Sequence, residues 1–287
     1  MRLFITGING QLGSELARRA SAAHEVSGGD LPDFDITQLD QARAIITAAR
    51  PDVVLHCAAM TDVDGAARQP DLAFQINGLG TQNVALACAA LNISMLYVSS
   101  NEVFDGTKSK PYHEFDATQP ANPYGYSKLA GEWFTQRLLN RFYIVRTSWL
   151  TGSAGRNFVH RILQLADERR SLRVVTDEEA SPTFVPDLVD AILKLIVTRR
   201  YGIYHFVNSG HCSRYGFAKR ILELAGRQDV PIEPITLADY PRPSVPPKFT
   251  PLANVCGAAI GITLRSWEEA LEEFLKLSGQ GDSEKGG

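Results

Sequence analysis

The chain has few cysteines, no long apolar run and no excess of basic charge, and each absence excludes a class of protein. Its four cysteines are scattered singly along 287 residues, which excludes a disulfide framework and the usual zinc-ligand spacings. No apolar run approaches the roughly 20 residues of a membrane-spanning helix, and the first residues lack a signal-peptide layout. The 29 basic and 32 acidic residues predict no nucleic-acid partner. We therefore expect a cytoplasmic protein without a membrane partner.

His56 and Cys57 are neighbours that could be mistaken for a pair of metal ligands. Adjacent residues on a strand point to opposite faces, so one ion cannot easily use both side chains. The sequence therefore predicts no metal site.

Short apolar runs alternate with helical patterns along the first half of the chain, as in a parallel sheet covered on both faces. We predict an α/β fold, with a Rossmann-type doubly wound parallel sheet and a smaller C-terminal substrate-binding domain. The predicted strands are Arg2 to Thr6, Val53 to Ala58, Met95 to Ser99, Ile144 to Thr147 and Tyr204 to Val207. The predicted helices are Gln11 to Ala20, Gln41 to Arg50, Ala73 to Leu91, one from Pro123, Asn157 to Arg169, Pro186 to Val197 and Ser266 to Leu277.

The rhythm of strands and helices becomes irregular after Thr147. We predict a dinucleotide-binding domain over residues 1–150, revisited by about 183–208. The smaller domain then comprises 151–182 and 209–277, and 278–287 form a mobile tail rich in glycine and charge. Seven prolines between Pro231 and Pro251 predict an ordered, non-helical loop region of the kind that often covers a site.

A glycine-rich turn, Thr6 to Gly13, joins the first strand to the first helix. Gly7 suits a tight turn, Gly10 allows close approach to a pyrophosphate, and Gly13 allows close packing of helix on strand. The helix N-terminus adds free amides and positive potential. A glycine triplet alone is a weak signal, but its place between a strand and a helix favours dinucleotide binding over a flexible loop.

Two acidic residues stand where a further strand, between the helices predicted at Gln11 to Ala20 and Gln41 to Arg50, should end, and they are candidates for the adenosine end of the cofactor. Asp30 could accept hydrogen bonds from a ribose 2′-hydroxyl and would repel a 2′-phosphate, but it could equally be an ordinary turn acid. Asp35, followed by Ile36, could bond the exocyclic amine of adenine. The choice between NADH and NADPH therefore stays open.

Tyr124 and Lys128 are four residues apart near the start of a helix and so share one helical face. An ammonium close to a phenol lowers the phenol's pKa towards the working range of a proton donor. The alternative is a surface pair on an amphipathic helix. Tyr126 has Ala130 at the same spacing and cannot repeat the arrangement.

Hydroxyl groups stand at the end of the predicted strand Met95 to Ser99, in Ser99-Ser100-Asn101. Ligands of open parallel sheets bind at this carboxyl edge, and a hydroxyl there can hydrogen-bond a reacting oxygen. Serines that merely terminate a strand are the alternative. The glycine turn, the hydroxyl and the Tyr/Lys pair together are more specific than any one of them.

Through these motifs, the chain resembles the extended short-chain dehydrogenase/reductase family, and the resemblance runs from Met1 to about Leu275. The further matching segments are His56-Cys57-Ala58-Ala59, Thr61-Asp62-Val63-Asp64, Asn77, Val103-Phe104-Asp105-Gly106, Lys128-Leu129-Ala130-Gly131-Glu132, Arg146-Thr147-Ser148-Trp149 and Arg242-Pro243.

The resemblance implies roles for individual residues. The implied catalytic triad is Ser100, Tyr124 and Lys128. The implied cofactor contacts are Gly7, Asn9, Gly10, Gln11, Leu12, Gly13, Ala58, Ala59, Met60, Asn77 and Ser99, with Tyr124 and Lys128. The implied substrate contacts are Thr61, Asp62, Val63, Ser100, Asn101, Glu102, Trp149 and Arg242. From the residues themselves, Trp149 offers an apolar wall and Arg242 a charged grip on phosphate.

The chain departs from the family at the end of the predicted strand Met95 to Ser99. The family usually has Ser-Thr-Asp-Tyr there, and this chain has Ser99-Ser100-Asn101-Glu102. Ser100 keeps the hydroxyl, whereas Glu102 in place of an aromatic residue could alter the sugar accepted.

The resemblance implies NADPH- or NADH-dependent reduction of a 4-keto-6-deoxy nucleotide sugar, such as dTDP-4-dehydrorhamnose to dTDP-L-rhamnose. One alternative is a nucleotide-sugar epimerase or dehydratase, which retains its cofactor through the cycle. A second is a non-catalytic subunit resembling the regulatory subunit of methionine adenosyltransferase, although a pure binder does not need the triad. A homodimer is left open.

Overall fold

A computed structural model describes residues 1–153, 157–168 and 171–283, with side chains described as far as residue 277. The strands, in chain order, are β1 (Arg2–Thr6), β2 (Glu25–Gly29), β3 (Val53–His56), β4 (Ser94–Ser100), β5 (Phe142–Thr147), β6 (Leu150–Thr151), β7 (Leu172–Val175), β8 (Glu179–Ala180), β9 (Thr183–Phe184), β10 (Gly202–His205), β11 (Cys212–Ser213) and β12 (Ile232–Ile235).

The helices are α1 (Gln11–Ala20), α2 (Leu39–Ala49), α3 (Val63–Arg68), α4 (Pro70–Ala73), α5 (Thr81–Leu91), α6 (Pro123–Leu138), α7 (Phe158–Glu168), α8 (Val185–Ile196), α9 (Arg214–Leu224) and α10 (Trp267–Ser283). A π-helix, Phe74–Gly80, joins α4 to α5. Short 3-10 turns stand at Asn101–Val103, Leu237–Asp239 and Ala258–Ile260.

The central sheet has six strands in the order β10-β5-β4-β3-β1-β2, and every neighbouring pair is parallel. The chain passes from β1 to β2 on one side and then returns to β3 on the other side of β1. The order of strands therefore reverses between β1 and β3, and such a switch point opens a crevice at the carboxyl edge of the sheet.

Both faces of this sheet are covered, as the apolar strands require. On one face α1 and α8 bury Leu16, Leu188 and Ile192 against the strands. On the opposite face α2 and α5 bury Ile46 and Val84. Strands that are apolar on both sides read as near-continuous hydrophobic runs, which is why five of the six strands were predicted from the sequence.

A separate apolar cluster lies away from the sheet and joins α7, α9 and α10. Phe217 is its centre, with Phe158 stacked on it at 5.5 Å and Trp267 edge-on at 5.5 Å between ring centroids. Strands β7 and β12 pair in parallel beside it. Most of this cluster belongs to segments predicted for the smaller domain, whereas Phe184 comes from the segment 183–208 that was predicted to return to the sheet domain. Ile262 and Leu264, also predicted there, pack instead on the α1 and α8 face of the sheet.

The doubly wound α/β architecture is confirmed. The sequence did not predict the helices α3, α4 and α9 or the short strands β6 to β9, β11 and β12, and the elements that it did predict differ at their ends. The helix predicted from Ala73 is a π-helix followed by α5. Helix α10 runs to Ser283, past the predicted end at Leu277. The proline-rich region contains β12 and a 3-10 turn, so it is less irregular than predicted. Arg169, the predicted end of α7, and residues 284–287 of the predicted tail lie outside the described residues.

Within the described residues, no helix combines the length and apolar character needed to cross a bilayer.

Candidate active site

The glycine turn after β1 is shaped by close backbone contacts. Gly7 has φ +69°, and a Cβ there would lie 2.8 Å from the Cα of Ala58, beyond the end of β3. A Cβ on Gly13 would overlap the carbonyl oxygen of Gly7. Side chains at these two positions would force the loop, α1 and β3 apart. The structure therefore shows close contacts at Gly7 and Gly13 of the kind that the sequence predicts, a tight turn and close packing of helix on strand.

The N-terminus of α1 is open to an anion. Gly10 is its N-cap, no side chain caps the helix, and its first turn contains no acidic residue. The first amides of the helix, which include those of Gln11 and Leu12, are therefore available to a phosphate, and the helix dipole favours negative charge there. These residues fit the pyrophosphate of a dinucleotide.

Asp30 directly follows β2 and lies against the glycine turn. Its carboxylate accepts hydrogen bonds from the backbone N–H of Asn9 at 3.0 Å and of Leu31 at 2.9 Å. The turn and the end of β2 are thus held together by one acid. The structure brings Asp30 and Asn9 to the crevice, and their contact with a ribose stays a prediction.

Asp35 has a local role in the structure. Its Oδ1 accepts from both the N–H and the hydroxyl of Thr37, and its own N–H donates to Gln41. Ile36 is buried, with its side chain closely packed on Gly80 of the π-helix. These contacts stabilise the turn before α2, and an adenine contact by either residue stays a prediction.

A chain of buried hydrogen bonds fixes the carboxyl end of β3. His56 Nδ1 hydrogen-bonds to the Thr6 hydroxyl at 2.7 Å, and His56 Nε2 to the Thr81 hydroxyl at 2.9 Å. Burial, with a smaller contribution from the Lys128 ammonium, lowers the pKa of His56 to about 3. The Thr6 hydroxyl also accepts from the N–H of Ala58 at 3.2 Å. His56 is therefore a neutral structural group, and Ala58 is held at the crevice.

Asn77 ties the next part of the crevice to α6. Its amide binds both backbone groups of Met60, at 2.8 and 3.0 Å, and donates to Ser127 Oγ at 2.9 Å. Ser127 Oγ in turn donates to the carbonyl oxygen of Tyr124 at 2.7 Å. Asn77 is fully buried, so it positions the loop of Ala59 and Met60 relative to Tyr124.

Ser100 and Tyr124 meet at the carboxyl edge of the sheet. The Ser100 hydroxyl acts to lower the pKa of Tyr124, against the larger raising effect of burial, so the two side chains lie close together. The contact depends on Gly125, because a Cβ there would overlap the carbonyl oxygen of Glu102, just after β4. Asn122 caps α6 by accepting from the N–H of Gly125 at 2.9 Å. Cap and glycine together seat the start of α6 on the end of β4.

Lys128, one turn further along α6, is buried beside β3 and β4. Its Nζ lies 4.3 Å from the ring centroid of Tyr97. Burial lowers the pKa of Lys128 to about 7, against the opposing charges of Glu132 and Cys57. The same burial raises the pKa of the Cys57 thiol to about 12. Lys128 therefore points towards the end of β3, where the crevice opens.

The expected lowering of the Tyr124 pKa is wrong for this structure. Burial and the carboxylate of Glu102 hold the pKa of Tyr124 well above its ordinary value. The Ser100 hydroxyl acts to lower it, but this effect is smaller. Lys128 is not among the groups that shift it. Sequence spacing places the ammonium on the right helical face, but the sign is set by desolvation and by an acid on another element.

The Ser99 hydroxyl, predicted to contact the cofactor, is engaged elsewhere. It donates to Glu132 Oε1 at 2.6 Å, and Glu132 forms a bidentate ion pair with Arg146 at 2.8 and 2.7 Å. Both charged side chains are at most 3% exposed. A buried network therefore joins β4, β5 and α6 behind the catalytic residues. The segments that carry the family resemblance, Lys128 to Glu132 and Arg146 to Trp149, include both Glu132 and Arg146. The sequence did not show that these two residues pair.

The predicted substrate residues Thr61, Asp62, Val63 and Asn101 lie in two segments, one at and just before the start of α3 and one directly after β4. Asn101 accepts from the Ser100 hydroxyl at 3.2 Å and donates to the Thr250 hydroxyl at 2.7 Å. Asp62 caps α3 by accepting from the N–H of Gly65 at 2.9 Å. Thr61 is exposed and Val63 half-buried in the same segment. Of these, only Asn101 directly contacts a catalytic side chain.

Two arginines reach this site from distant parts of the chain. Arg242 donates through Nε to Asp64 at 2.9 Å, and Arg214 donates through Nε to Glu178 at 2.9 Å. Burial raises the pKa of Glu102, and the charges of both guanidinium groups act to lower it, so both lie near Glu102. Within the described residues, their Nη atoms have no hydrogen-bond partner. Two positive groups are thus oriented and still able to donate.

Trp149 connects Arg214 to the end of β5. It adopts φ +44°, and the guanidinium carbon of Arg214 lies 3.7 Å from the centroid of its ring. Sequence reasoning identified Trp149 and Arg242 but missed Arg214 and Glu178. No motif surrounds these two residues, and only the packing of α9 brings them to Trp149.

The chain matches the family model described as the RmlD substrate binding domain over residues 1–279. It is 36% identical to the spore coat polysaccharide biosynthesis protein SpsK of Bacillus subtilis, across 96% of this chain and 97% of that protein. It is 37% identical to a dTDP-4-dehydrorhamnose reductase of Mycobacterium tuberculosis, across 96% and 92% of the two chains.

A solved structure with a similar fold is the dTDP-4-dehydrorhamnose reductase of Bacillus anthracis in complex with NADP. The two superpose with a TM-score of 0.93 at 39% identity, over 96% of this chain and 98% of the other.

Proposed function

The chain belongs to the family of the RmlD substrate binding domain, and from that premise we propose that it is an NADPH- or NADH-dependent reductase of dTDP-4-dehydrorhamnose. The mycobacterial relative bears that enzyme's name, and the Bacillus anthracis enzyme was solved with NADP. The single observation that supports the chemistry most is the closeness of Ser100 and Tyr124 at the carboxyl edge of the sheet, where Gly125 lets the start of α6 approach the end of β4.

The catalytic side chains are arranged for reduction of a carbonyl. A bound nicotinamide cofactor would supply the hydride to C4 of the sugar. Ser100 would donate a hydrogen bond to the C4 oxygen, and Tyr124 would transfer its phenolic proton to that oxygen as negative charge develops. Burial and Glu102 keep Tyr124 protonated at neutral pH, which is the form that a proton donor needs.

Lys128 would act through its ammonium on the cofactor side of Tyr124. It is buried next to the end of β3, where Ala58 and the glycine turn are held together. With its pKa lowered to about 7 by burial, it needs a partner to stay charged. Ribose hydroxyls of the cofactor, as the resemblance implies, would provide such a partner.

Arg242 and Arg214 would hold the diphosphate of the sugar nucleotide, because each guanidinium is oriented through Nε and can donate from Nη. Trp149, stacked under Arg214, would form the apolar wall against the sugar or base. Thr61, Asp62, Val63 and Asn101 complete the proposed substrate residues. The proposed smaller domain is the part of the chain that packs around the separate apolar cluster at Phe217. Arg214 lies on α9, one of the helices of that cluster.

A spectrophotometric assay tests the proposal. Purified protein should oxidise added NADPH or NADH in a one-to-one ratio with a 4-keto-6-deoxy sugar linked to dTDP. Turnover without net oxidation would instead support an epimerase or dehydratase. Cofactor binding without any turnover would support a non-catalytic subunit.

Cofactor preference provides a second test. Asp30→Asn should raise kcat/KM for NADPH relative to NADH if this acid contacts the ribose, because the carboxylate repels a 2′-phosphate. An unchanged ratio would restrict Asp30 to its bonds with Asn9 and Leu31. A cytoplasmic location and a homodimer remain predictions, and size-exclusion chromatography with light scattering tests the second.

A further inference from the structure

Glu102 is held beside the catalytic pair by three contacts. Its N–H donates to Ser100 Oγ at 3.2 Å, and its carbonyl oxygen packs on Gly125. Its Oε2 accepts from Asn122 Nδ2 at 2.6 Å. Two of these contacts are to residues on either side of Tyr124. The position of the carboxylate relative to Ser100 and Tyr124 is therefore set from both elements that supply them.

One oxygen of this carboxylate is left for a ligand. Within the described residues Oε1 has no hydrogen-bond partner, and it is not among the buried atoms that lack one. Glu102 itself is only partly exposed. Its Oε1 therefore reaches the crevice, while Oε2 and the backbone keep it in place.

Charges of both signs surround Glu102. Burial raises its pKa, the Asn122 hydrogen bond and the charges of Arg242 and Arg214 act to lower it, and Glu178 acts to raise it. The carboxylate in turn acts on Tyr124. Glu102 thus lies between the proposed diphosphate grip and the group that would protonate the C4 oxygen. In a nucleotide sugar, the atoms between these two points are those of the sugar ring.

We propose that Glu102 selects the sugar by accepting a hydrogen bond from its C3 hydroxyl. This inference rests on the proposed function, which places the C4 oxygen between Ser100 and Tyr124. The C3 hydroxyl is on the adjacent ring carbon, and a carboxylate can only accept. A sugar without that hydroxyl leaves Oε1 unpaired in a partly desolvated site. We expect its affinity to fall on the order of 10- to 100-fold.

Binding tests this without requiring turnover. The protein saturated with NADP would be titrated by calorimetry with dTDP-L-rhamnose and with its 3-deoxy analogue. Wild-type protein should prefer the first ligand by about 10- to 100-fold. Glu102→Leu should abolish the preference, whereas Glu102→Gln, which keeps a carbonyl oxygen, should retain most of it.

Glu272→Gln is the matched control, since it removes an acid on α10 that pairs with Lys276. It should bind both ligands as wild type does. Equal affinity of wild-type protein for the two ligands overturns the proposal, even if the Leu variant fails to fold. A preference that survives in a folded Glu102→Leu protein overturns it as well.

The outcome for the proposed function is separate. A protein that shows the 3-hydroxyl preference but oxidises no NADPH with the keto sugar is not a reductase, and the inference about Glu102 then still holds. A protein that oxidises NADPH but binds both ligands equally is a reductase in which Glu102 does not read the sugar.

Discussion

A methyl group added at Gly125 should disable the enzyme without unfolding it. The new Cβ would approach the Glu102 carbonyl oxygen closer than 3.0 Å, a distance that real Cβ atoms essentially never show. The position of a Cβ is fixed by its own backbone and the carbonyl oxygen is itself backbone, so neither can rotate away. The start of α6 must therefore move off the end of β4, and Tyr124 moves away from Ser100.

The size of the effect follows from the displacement. Relieving the overlap requires a shift of roughly 1 Å, and a misplacement of that size in reacting groups costs about 10²-fold. A 10²-fold loss in kcat/KM corresponds to about 2.7 kcal/mol. The fold should suffer less, because alanine is better than glycine in a helix by about 1 kcal/mol, which offsets part of the strain.

Gly216 provides a matched control. It is the third residue of α9 and donates its N–H to the capping Ser213 hydroxyl at 3.0 Å, as Gly125 does to Asn122. Its added Cβ would find ordinary contacts only, the nearest at 3.4 Å from Ser213 Oγ. Gly216→Ala should therefore keep kcat/KM and gain slightly in stability.

The assay is NADPH oxidation at varied sugar concentration, with thermal unfolding of each variant. If folded Gly125→Ala retains kcat/KM within about threefold of wild type, the close seating of α6 on β4 does not control the chemistry. Loss of the same size in Gly216→Ala would show that the effect belongs to any such substitution and not to the Glu102 contact.

Three further predictions concern the buried groups of the site. Tyr124→Phe should lower kcat by about 10²- to 10⁴-fold, since it removes the proton donor, with NADP affinity by calorimetry unchanged; a near-normal kcat would assign proton transfer to another group. Lys128→Met should gain most stability over wild type at pH 6 and progressively less as pH rises from 7 towards 10.5. The reason is that burial lowers the pKa of Lys128 to about 7 in the folded protein, so the folded state is penalised at any pH where the unfolded amine is charged. Urea unfolding at pH 6 and pH 9 measures the gain, and an equal gain at both pH values contradicts the prediction. Glu132→Gln should destabilise by about 3–5 kcal/mol by leaving Arg146 charged and unpaired, and adding Arg146→Met should restore much of the loss; a double variant no more stable than the single one would count against the pairing as the cause.

Much of the fold was predictable because its strands are buried on both faces. The predicted strand Val53 to Ala58 begins where β3 begins and runs two residues past its end at His56, and Gly7 and Gly13 stand at the places where a side chain would not fit. The π-helix at Phe74–Gly80 was not predictable, since its residues resemble those of an ordinary helix. Its consequence, the turning of Asn77 towards Met60, depends on tertiary contacts.

The site was predictable where one element carries the signal. Tyr124 and Lys128 share a helix, and Ser100 ends a strand. Arg214 was not identified, because it contacts Trp149 only after α9 has packed on the sheet domain. The raised pKa of Tyr124 was also missed, since it depends on burial and on Glu102, which sequence spacing does not reveal.

The two separate roles of Asn122 allow the substrate specificity of the protein to change gradually. One end of its amide supports the helix through the N–H of Gly125, and the other end holds Glu102 at 2.6 Å and the carbonyl oxygen of Val245 at 3.3 Å. Because the two duties fall on opposite ends of one side chain, position 102 can mutate while the helix keeps its support. Descendants of such a protein can therefore explore new substrates without first losing the machinery that reduces them.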